Sequence, residues 1–504
     1  MYNKKNYLTI IIALFAVSIS HAGEKDYEYE YLYKNLPFEM PKVQKPVFPD
    51  CSVKITEYGG VPDGVTLNTN AFAEAINALS KKGGGTLIVP SGVWYTGPII
   101  FKSNINLHLE RGALILFTTS IDAYTIVETS FEGLSARRAR SPISGRNLEN
   151  IAITGEGAIN GSGEAWRPLK RAKVPDGHWR EVVNSGGMLK DPNYWVPSET
   201  IEHIRPVMVS FISCKNILLE GVLFENSPAW NIHPLMCENV IIDGIFVRNP
   251  SYAQNGDGLD LESCKNAIVV NSTFDVGDDA ICLKSGKDEQ GRKRGIPTEN
   301  VIIDNCRVFK GHGGFVVGSE MSGGVKNISV SNCQFMGTNV GLRFKSARGR
   351  GGVVENIFIN NINMFNIIHE PLVFDLYYFT RKTDDIPAVD ETTPTFKDIY
   401  ISNIISRNSN KAMLFNGLPE MNIMNINIEN AFITSRLGAE IFESENIKLK
   451  NVTVIPSEGT ALVLNNVKNV EIDNFSTLES LETAVKITGS RNSNIKLPEN
   501  IVLH

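Results

Sequence analysis

Asn300-Val301-Ile302-Ile303 is the clearest copy of a four-residue unit that recurs through the second half of the 504-residue chain. Each copy starts with asparagine or aspartate, and apolar residues occupy the first and third places after it. The nine copies begin at Asn216, Asn239, Asn266, Asn300, Asn327, Asn356, Asp398, Asn446 and Asn469. Many successive copies are 23 to 29 residues apart, and larger steps, such as the 42 residues between Asn356 and Asp398, leave room for loops.

The spacing of apolar residues within each copy is that of a β-strand, because side chains alternate between the two faces of a strand. The middle place changes from apolar to Ser, Lys or Glu along the copies, so we expect it to face outward. A second inward column, six places after the asparagine, consists of Val222, Ile245, Ser272, Cys306, Cys333 and Ile362. Short strands that repeat every ~20–50 residues are typical of a solenoid, in which each coil stacks on the next. The predicted fold class is therefore all-β, a single-domain parallel β-helix with asparagines at its turns.

The open ends of a solenoid have to be covered. Near the start, Asn70 is placed to cap a helix over residues 71–82 that ends at Gly83. The apolar face of this helix consists of Phe72, Ile76 and Leu79. We expect it to plug the N-terminal end of the β-helix. The predicted organisation is a signal peptide at residues 1–22, a lead segment at 23–50 and the β-helix domain at 51–504.

The N-terminus has the pattern of a secretory signal. Lys4 and Lys5 precede a mostly apolar run, Leu8 to Ile19, that is too short to span a bilayer, and Ser20-His21-Ala22 puts small residues at the positions that determine cleavage. The alternative is a buried helix. We expect an exported protein, periplasmic or extracellular.

No later segment resembles a transmembrane span, and a net charge of −6 makes nucleic acid a poor partner. Neither membrane nor nucleic acid is predicted as a partner, and the chain is expected to be a monomer.

Five of the seven cysteines follow the phase of the repeat. Cys214, Cys237 and Cys264 each lie two residues before a repeat asparagine, and Cys306 and Cys333 belong to the second inward column. Free cysteine packs as a small buried hydrophobe. We therefore predict mostly reduced cysteines stacked in ladders, with a disulfide framework as the alternative for an exported chain.

Four short motifs lie close together in the repeat region: Asn255-Gly256-Asp257, Gly277-Asp278-Asp279, Gly311-His312-Gly313 and Arg343-Phe344-Lys345. Asp257 and Asp278 are 21 residues apart, about one coil, while Asp278 and His312 both lie 12 places after a repeat asparagine. Equal phase stacks these side chains on successive coils of one face. Taken singly, each motif has a plainer interpretation: an ordinary turn, a loop histidine or a solvated strand face. Their joint placement favours a functional site.

The chemistry that such a cluster supports is glycosidic bond hydrolysis. One carboxylic acid protonates the leaving oxygen, and another carboxylate activates water or attacks. Carboxylates in proximity cannot all ionise easily, so the pKa of one rises and that group serves as the acid. Asp278 and Asp279 are adjacent, and both reach the cleft only if Gly277 allows a bend. Arg343 and Lys345 share a strand face and are placed to hold a substrate carboxylate.

These motifs resemble those of glycoside hydrolase family 28, the polygalacturonase family, which has Asn-Thr-Asp, Gly-Asp-Asp, Gly-His-Gly and Arg-Ile-Lys in this order. Residues 226–234 are also similar to that family, and the resemblance covers about residues 50–480. It implies a right-handed, pectin-lyase-like β-helix. It also implies an inverting hydrolase that acts on α-linked galacturonate bonds in pectic polysaccharide or oligogalacturonide, with no cofactor and no metal. This chain has Gly256 where the family has Thr, and Phe344 where it has Ile.

The resemblance also implies roles for the motif residues. Asp278 would be the general acid, Asp257 and Asp279 would position and activate water, and His312 would adjust the protonation of the acid or contact the sugar. The expected substrate-binding residues are Asn255, Arg343, Lys345 and Tyr377, with Tyr378 as the alternative tyrosine.

Other features of the sequence leave alternatives open. Residues 167–205 are out of phase with the repeat and form either a wall at one end of the cleft or a surface insertion. The endo or exo mode and the identity of the pectic polymer are not determined. A calcium-dependent pectate lyase is a rival enzyme, since carboxylates suit hard cations. A polysaccharide-binding β-helix without activity is the rival outside enzymes.

Overall fold

A computed structural model describes residues 27–382, 386–478 and 484–498. The predicted signal peptide lies outside the described residues. Two compact units are found, Met1–Leu36 and Pro37–His504. The described part of the first contains α1 (Glu30–Tyr33), and everything below concerns the second. The predicted boundary at residues 50/51 stays a prediction. Within the described residues, no helix has the length and apolarity needed to cross a membrane.

The second unit is a β-helix with three faces of parallel strands, as the repeat predicts, and it is right-handed. The asparagine face is formed by Ser52–Lys54, Gly85–Val89, Ile105–Leu109, Glu149–Gly155, Lys215–Glu220, Glu238–Asp243, Lys265–Val270 and Thr298–Asp304. The site face is formed by Ile99–Ile100, Ile143–Arg146, Val209–Ile212, Ile232–Leu235, Leu259–Glu262, Ile281–Lys284, Gly313–Gly318, Val340–Lys345 and Leu372–Asp375. The third face is formed by Gly92–Thr96, Ala113–Phe117, Ala158–Asn160, Leu223–Glu225, Phe246–Arg248, Thr273–Asp275 and Arg307–Lys310.

Towards the C-terminus, the strands lengthen and run from one face to the next. These strands are Val325–Met336, Val353–Phe365, Thr395–Asn416, Ile423–Phe442, Ser444–Asn465 and Lys468–Ser476, followed by Val485–Thr488 and Ser493–Lys496. Pairing on the asparagine face of the central coils is in register: Val301 pairs with Ala267 on one side and Ile328 on the other. Side chains of equal phase therefore lie directly above one another.

The repeat asparagines form a ladder of side-chain hydrogen bonds. All nine predicted positions have a positive φ between 51° and 58°, the left-handed conformation that asparagine and aspartate adopt more readily than other non-glycine residues. Asn300 Nδ2 donates to Asn266 Oδ1 at 3.0 Å, and Asn327 Nδ2 donates to Asn300 Oδ1 at 3.0 Å. The ladder extends beyond the predicted copies to Asn104 and Asn494. Sequence analysis missed those outer copies, although Asn104-Ile105-Asn106-Leu107 and Asn494-Ile495-Lys496-Leu497 follow the same pattern.

The predicted inward columns are buried in one continuous core. The middle place faces outward as predicted, and it is solvent-exposed at Lys448 and Glu471. In the central coils, however, Ile241 and Ile268 at this place are buried, so outward does not mean exposed there. Phe38, which also belongs to the second unit, packs on this side of the β-helix, with its ring centre 6.2 Å from that of Phe358.

The predicted N-terminal helix exists but starts earlier than expected. α2 spans Thr69–Lys81, and Asn68, not Asn70, occupies its N-cap position. The Asn68 side chain does not cap the helix; its Oδ1 accepts from the Val61 amide at 2.7 Å. This bond fixes the chain direction before the helix, so Asn70 falls inside the first turn. The predicted apolar face of α2 packs on the first coil of the core.

Two segments leave the β-helix beside the site face. The first is an antiparallel hairpin, Ile126–Phe131 and Leu134–Ala139. The second, called here the insertion, covers residues 167–205. It contains α3 (Asp176–Asn184), α4 (Glu199–Ile204) and a small antiparallel sheet of Leu169–Lys170, Met188–Asp191 and Tyr194–Val196. A further helix, α5 (Asp288–Arg294), follows the strand Ile281–Lys284.

All seven cysteines are free, and all except the half-buried Cys51 are buried. Cys237 lies between Cys214 and Cys264 in one thiol ladder, and Cys306 contacts Cys333 in another. Burial raises the pKa of Cys237 well above its usual value, which keeps this sulfur protonated and unreactive. The ladder interpretation is confirmed.

We predict that seven thiols react with a thiol reagent when the protein is denatured without reductant. In the native protein, Cys51 should react far faster than the six buried thiols, because reaction requires an accessible thiolate. Thiol counting before and after denaturation makes the comparison. A count of five or fewer after denaturation would mean that at least one disulfide bridges the coils.

Candidate active site

The predicted acidic residues meet where turns enter the site face. Asp257 precedes the strand Leu259–Glu262, and Asp278 and Asp279 precede Ile281–Lys284 on the next coil. One carboxylate oxygen from each aspartate lies within 4.8 Å of the others. The predicted stacking of Asp278 and His312 is also present, since the His312 amide donates to the Asp278 carbonyl at 2.8 Å.

Glycines next to the aspartates allow the turns to pack closely. A Cβ on Gly277 would lie 2.5 Å from the Pro250 carbonyl oxygen, and one on Gly256 would lie 2.6 Å from the Ala253 Cβ. Gly277 therefore serves close packing of the preceding turn, and the bend that sequence analysis assigns to it does not require a positive φ. The same contact explains Gly256: threonine there would collide with Ala253.

Asp279 is held by the two cations of the fourth motif. Lys345 Nζ donates to Asp279 Oδ2 at 2.6 Å, and Arg343 Nη1 lies 3.6 Å from Asp279 Oδ1. Burial lowers the pKa of Lys345, but the charge of Asp279 outweighs burial and leaves that pKa above its usual value. Only 7% of the Lys345 side chain is exposed, against 19% for Arg343. Lys345 is thus primarily a partner of Asp279, and Arg343 is the more accessible cation.

Phe344 lies between these two cations and points the opposite way, into the core. Its ring stacks on Phe374 at 4.5 Å and packs at 6.1 Å from Phe315. This departure from the usual isoleucine thus extends an interior column of aromatic rings and leaves the outward face of the motif unchanged.

Asp278 pairs with His312, whose Nδ1 lies 3.0 Å from Asp278 Oδ1. Asp278 is the most accessible of the three carboxylates, with 15% of its side chain exposed against 1% for Asp279. Burial raises the pKa of Asp278. The hydrogen bond and charge of His312, together with Lys345 and Lys173, lower it by more than burial raises it, so the net shift of this pKa is downward.

The carboxyl group whose pKa rises is that of Asp257. It is buried, and desolvation raises its pKa well above the usual value, with added repulsion from Asp260 and Asp278. The expectation that the predicted acid, Asp278, carries the raised pKa is therefore wrong for the free enzyme. Desolvation raises the pKa of both carboxyl groups. The histidine beside Asp278 more than offsets desolvation at that residue, so the raised pKa is that of Asp257.

The remaining predicted residues lie around this cluster. Asn255 Oδ1 accepts from Arg205 Nη2 at 2.9 Å, which fixes the turn before Asp257. Tyr377 is buried and lies 5.2 Å from the Arg348 guanidinium. Tyr378 is 40% exposed, with Arg343 and Lys345 at 5.3 and 4.9 Å from its ring centre. The geometry favours Tyr378 over Tyr377 as the tyrosine that faces a ligand.

Sequence analysis missed a buried charge network below the cluster. Lys284 Nζ donates to Glu320 Oε2 at 2.9 Å and lies 3.6 Å from Asp260 Oδ1. On the same face, His233 Nε2 lies 2.8 Å from Glu262 Oε2. The signal was present in the sequence, since charged residues alternate with apolar ones in Leu259–Glu262, and Lys284 ends the otherwise uncharged strand Ile281–Lys284. That alternation is also what an exposed strand face shows.

The three clustered aspartates have the spacing of a cation site. However, Lys345 already provides a positive charge 2.6 Å from Asp279, and His312 lies 3.0 Å from Asp278. Positive side chains this close oppose a divalent cation between the same carboxylates. The arrangement suits acid–base work better than the calcium chemistry of the rival lyase interpretation.

Comparisons with known proteins agree with this geometry. Residues 117–461 match the model of Glycosyl hydrolases family 28. A probable polygalacturonase of Vitis vinifera is 30% identical, over 77% of this chain and 75% of that protein. An exo-poly-alpha-D-galacturonosidase of Dickeya chrysanthemi is 27% identical, over 84% and 74%. The crystal structure of an exopolygalacturonase from Thermotoga maritima matches with a TM-score of 0.69 and 32% identity, over 82% of this chain and 94% of that one.

The raised pKa of Asp257 predicts a stability effect. A carboxyl that keeps its proton in the folded state lowers the free energy of unfolding once the pH exceeds its unfolded pKa of about 3.9. Each pH unit between the unfolded and the folded pKa lowers that free energy by about 1.4 kcal/mol. Asp257→Asn mimics the protonated form. It should raise Tm by at least ~2 °C at pH 7, and the gain should vanish towards pH 4. Asp122→Asn, an exposed carboxylate with the same charge change, is the control. Equal Tm for wild type and Asp257→Asn at pH 7 would show that Asp257 is ionised.

Proposed function

Because the chain belongs to glycosyl hydrolase family 28 and is therefore a glycoside hydrolase, we propose that it hydrolyses α-linked galacturonate bonds in pectic polysaccharide, acting from a chain end. The observation that carries the proposal is the cluster of Asp257, Asp278 and Asp279 with cations beside it. An acidic cluster provides hydrolysis, and the cations provide affinity for an anionic sugar.

The substrate class follows from charge. The chain carries a net charge of −6, so long-range attraction does not recruit a polyanion. Arg343 lies beside the carboxylates, is partly exposed, and has a planar guanidinium that binds a carboxylate through two hydrogen bonds. The ring of Tyr378 lies 5.3 Å from the Arg343 guanidinium and limits its movement. A sugar carboxylate next to the scissile bond is the ligand that fits this arrangement.

The exo mode is supported by the two segments that leave the β-helix. Arg138 of the hairpin donates to the Glu202 carbonyl of the insertion at 3.3 Å, and Asn255 Nδ2 donates to Glu132 Oε1 of the hairpin at 3.4 Å. The two segments thus join each other beside the acidic cluster and wall the cleft on its N-terminal side. Two of the relatives named above are exo-acting by name, and an endo-polygalacturonase of Pectobacterium carotovorum, 27% identical, makes the mode worth testing.

The catalytic steps follow from exposure and pairing. Asp278 is the carboxyl that a glycosidic oxygen can reach, so it is the general acid. A bound sugar excludes water, and this desolvation raises the pKa of Asp278 and favours its neutral, proton-donating form. Asp279, held by Lys345, is the base, and Asp257 orients the water as a neutral carboxyl.

A water-mediated route is favoured by burial. The nearest carboxylate oxygens lie within 4.8 Å, less than the ~6.5–9.5 Å that separates acid and base in typical inverting enzymes. Spacing alone would therefore point to retention. Asp257 and Asp279 are 3% and 1% exposed, however, so a molecule of water reaches them and the anomeric carbon of a sugar does not. Inversion is the outcome that this burial supports.

Export and a monomeric state complete the proposal. The basic start and apolar run of residues 1–22 support export to the periplasm or the outside of the cell. A polymeric substrate outside the cell is consistent with that location.

We predict that the wild type releases reducing ends from oligogalacturonates and from polygalacturonate, with one small product at early times. Asp278→Asn should lose at least ~10²–10⁴-fold in kcat, because general acid help is removed, while Asp122→Asn keeps full activity. Reducing-end release against chromatographic product profiles is the measurement. A ladder of many oligomers would contradict the exo mode, an ultraviolet-absorbing unsaturated product would indicate a lyase, and binding without new reducing ends would indicate a non-catalytic protein.

A further inference from the structure

The insertion is fixed to the turns that carry the acidic cluster. At its start, Arg167 Nη1 donates to the Ser227 carbonyl at 2.6 Å; at its end, Arg205 Nη1 donates to the Gln254 carbonyl at 2.6 Å. Both arginines are buried. Since Gln254 lies three residues before Asp257, the position of the insertion is set relative to the catalytic carboxylates.

The insertion also has a small core of its own. Leu169, Trp179 and Trp195 pack together, with Tyr252 from the β-helix against them. A short 3₁₀ turn, Arg171–Lys173, follows the first strand of the insertion. The Arg171 amide at its start donates to the Asn193 carbonyl at 2.9 Å. The turn is therefore held on a folded support.

Lys173 ends this turn, and its ammonium group is buried next to the acidic cluster. Within the part of the chain that the structure describes, Nζ of Lys173 is shielded from solvent and has no hydrogen-bond partner. Its charge nevertheless interacts with those of Asp278 and Asp257, and Lys170 adds repulsion. An ammonium has three donors, and leaving all of them unsatisfied in a shielded place costs free energy. Such a group is suited to a ligand that brings its own acceptor oxygens.

Lys173 and Arg343 lie on opposite sides of the acid along the β-helix axis. Lys173 belongs to the insertion, which contacts Ser227, Tyr252 and Gln254 on the turns before Asp257, whereas Arg343 is two coils beyond Asp278, on the strand Val340–Lys345. Successive coils are about 4.8 Å apart. A polysaccharide that crosses the acid along this axis therefore meets one cation before the scissile bond and the other after it.

We propose that Lys173 binds the carboxylate of the sugar on the insertion side of the scissile bond, while Arg343 binds the carboxylate on the opposite side. This inference rests on the proposed function, because it assumes a substrate with a carboxylate on each sugar. The insertion walls the cleft on the side of Lys173, so the sugar it recognises is the terminal one. Lys173 is then the residue that makes a charged chain end the preferred substrate.

The test uses the shortest oligogalacturonate that the wild type cleaves and two derivatives of it. Each derivative is methyl-esterified on one of the two sugars that flank the scissile bond. Lys173→Met removes the charge and keeps the length of the side chain. Lys170→Met is the matched control, since it removes the same charge from an exposed position three residues away.

Lys173→Met should lower kcat/KM on the fully charged oligomer by ~10–100-fold, the range for losing a hydrogen bond to a charged group. The penalty should fall below ~3-fold on the derivative esterified on the terminal sugar, whose carboxylate Lys173 is proposed to bind. It should persist on the derivative esterified on the other sugar. Arg343→Met should show the reverse pattern, and Lys170→Met should change nothing by more than ~3-fold. Lys173→Met should fold with an unchanged or higher Tm, because the shielded ammonium that it removes has no hydrogen-bond partner among the described residues.

An equal Lys173→Met penalty on all three substrates would overturn the proposal, since it would mean that Lys173 acts only through the charge of Asp278. A shifted pH profile of kcat would accompany that result. No penalty on any substrate would overturn it as well. Failure of the proposed function is a separate outcome, in which the wild type itself releases no reducing ends from the charged oligomer.

Discussion

The in-register stacking of coils is the constraint on which the rest of the molecule depends. Parallel pairing puts residues of equal phase directly above one another, as in the pairs Val301 with Ile328 and Val316 with Arg343. The left-handed asparagines keep each turn the same shape and bond it to the next. Residues that are 21 to 34 places apart in sequence thereby reach one site. Because each coil contributes one or two side chains, catalytic groups are placed to within the precision of β-sheet geometry.

Stacking also concentrates charge, and the structure shows how that charge is accommodated. Asp279 has Lys345, Asp278 has His312, and Lys284 lies between Glu320 and Asp260. Pairing of this kind offsets the desolvation of buried ions without making them strongly stabilising. Asp257 lacks such a partner among the described residues, and burial raises its pKa well above the usual value. The three carboxyl groups therefore differ in their surroundings: Asp257 is buried with a raised pKa, Asp279 is paired with a lysine, and Asp278 is the most accessible and lies beside an imidazole.

The repeat made the architecture predictable. Few structures accommodate apolar residues that alternate within short strands when those strands recur about once per coil. Asn216 to Asn469, the buried columns, the reduced cysteines and the convergence of the four motifs all followed from spacing. Residue spacing does not show which of several possible partners a side chain will bind. From spacing, Lys345 was expected to bind the substrate, but in the structure it binds the nearer carboxylate of Asp279. Phase arguments also stop at insertions, so Lys173, which approaches the cluster from outside the coils, could not be identified from the repeat.

The central claim is that water, guided by the buried Asp257 and Asp279, attacks the anomeric carbon in a single displacement. The direct test is proton NMR of the first seconds of hydrolysis, before mutarotation, on an α-linked oligogalacturonate. We expect the newly formed reducing end to appear first in the β configuration and to equilibrate later. Initial appearance of the α anomer would contradict the claim, because retention requires a carboxylate to bond to the sugar, and the burial of Asp257 and Asp279 described above would then be incorrect.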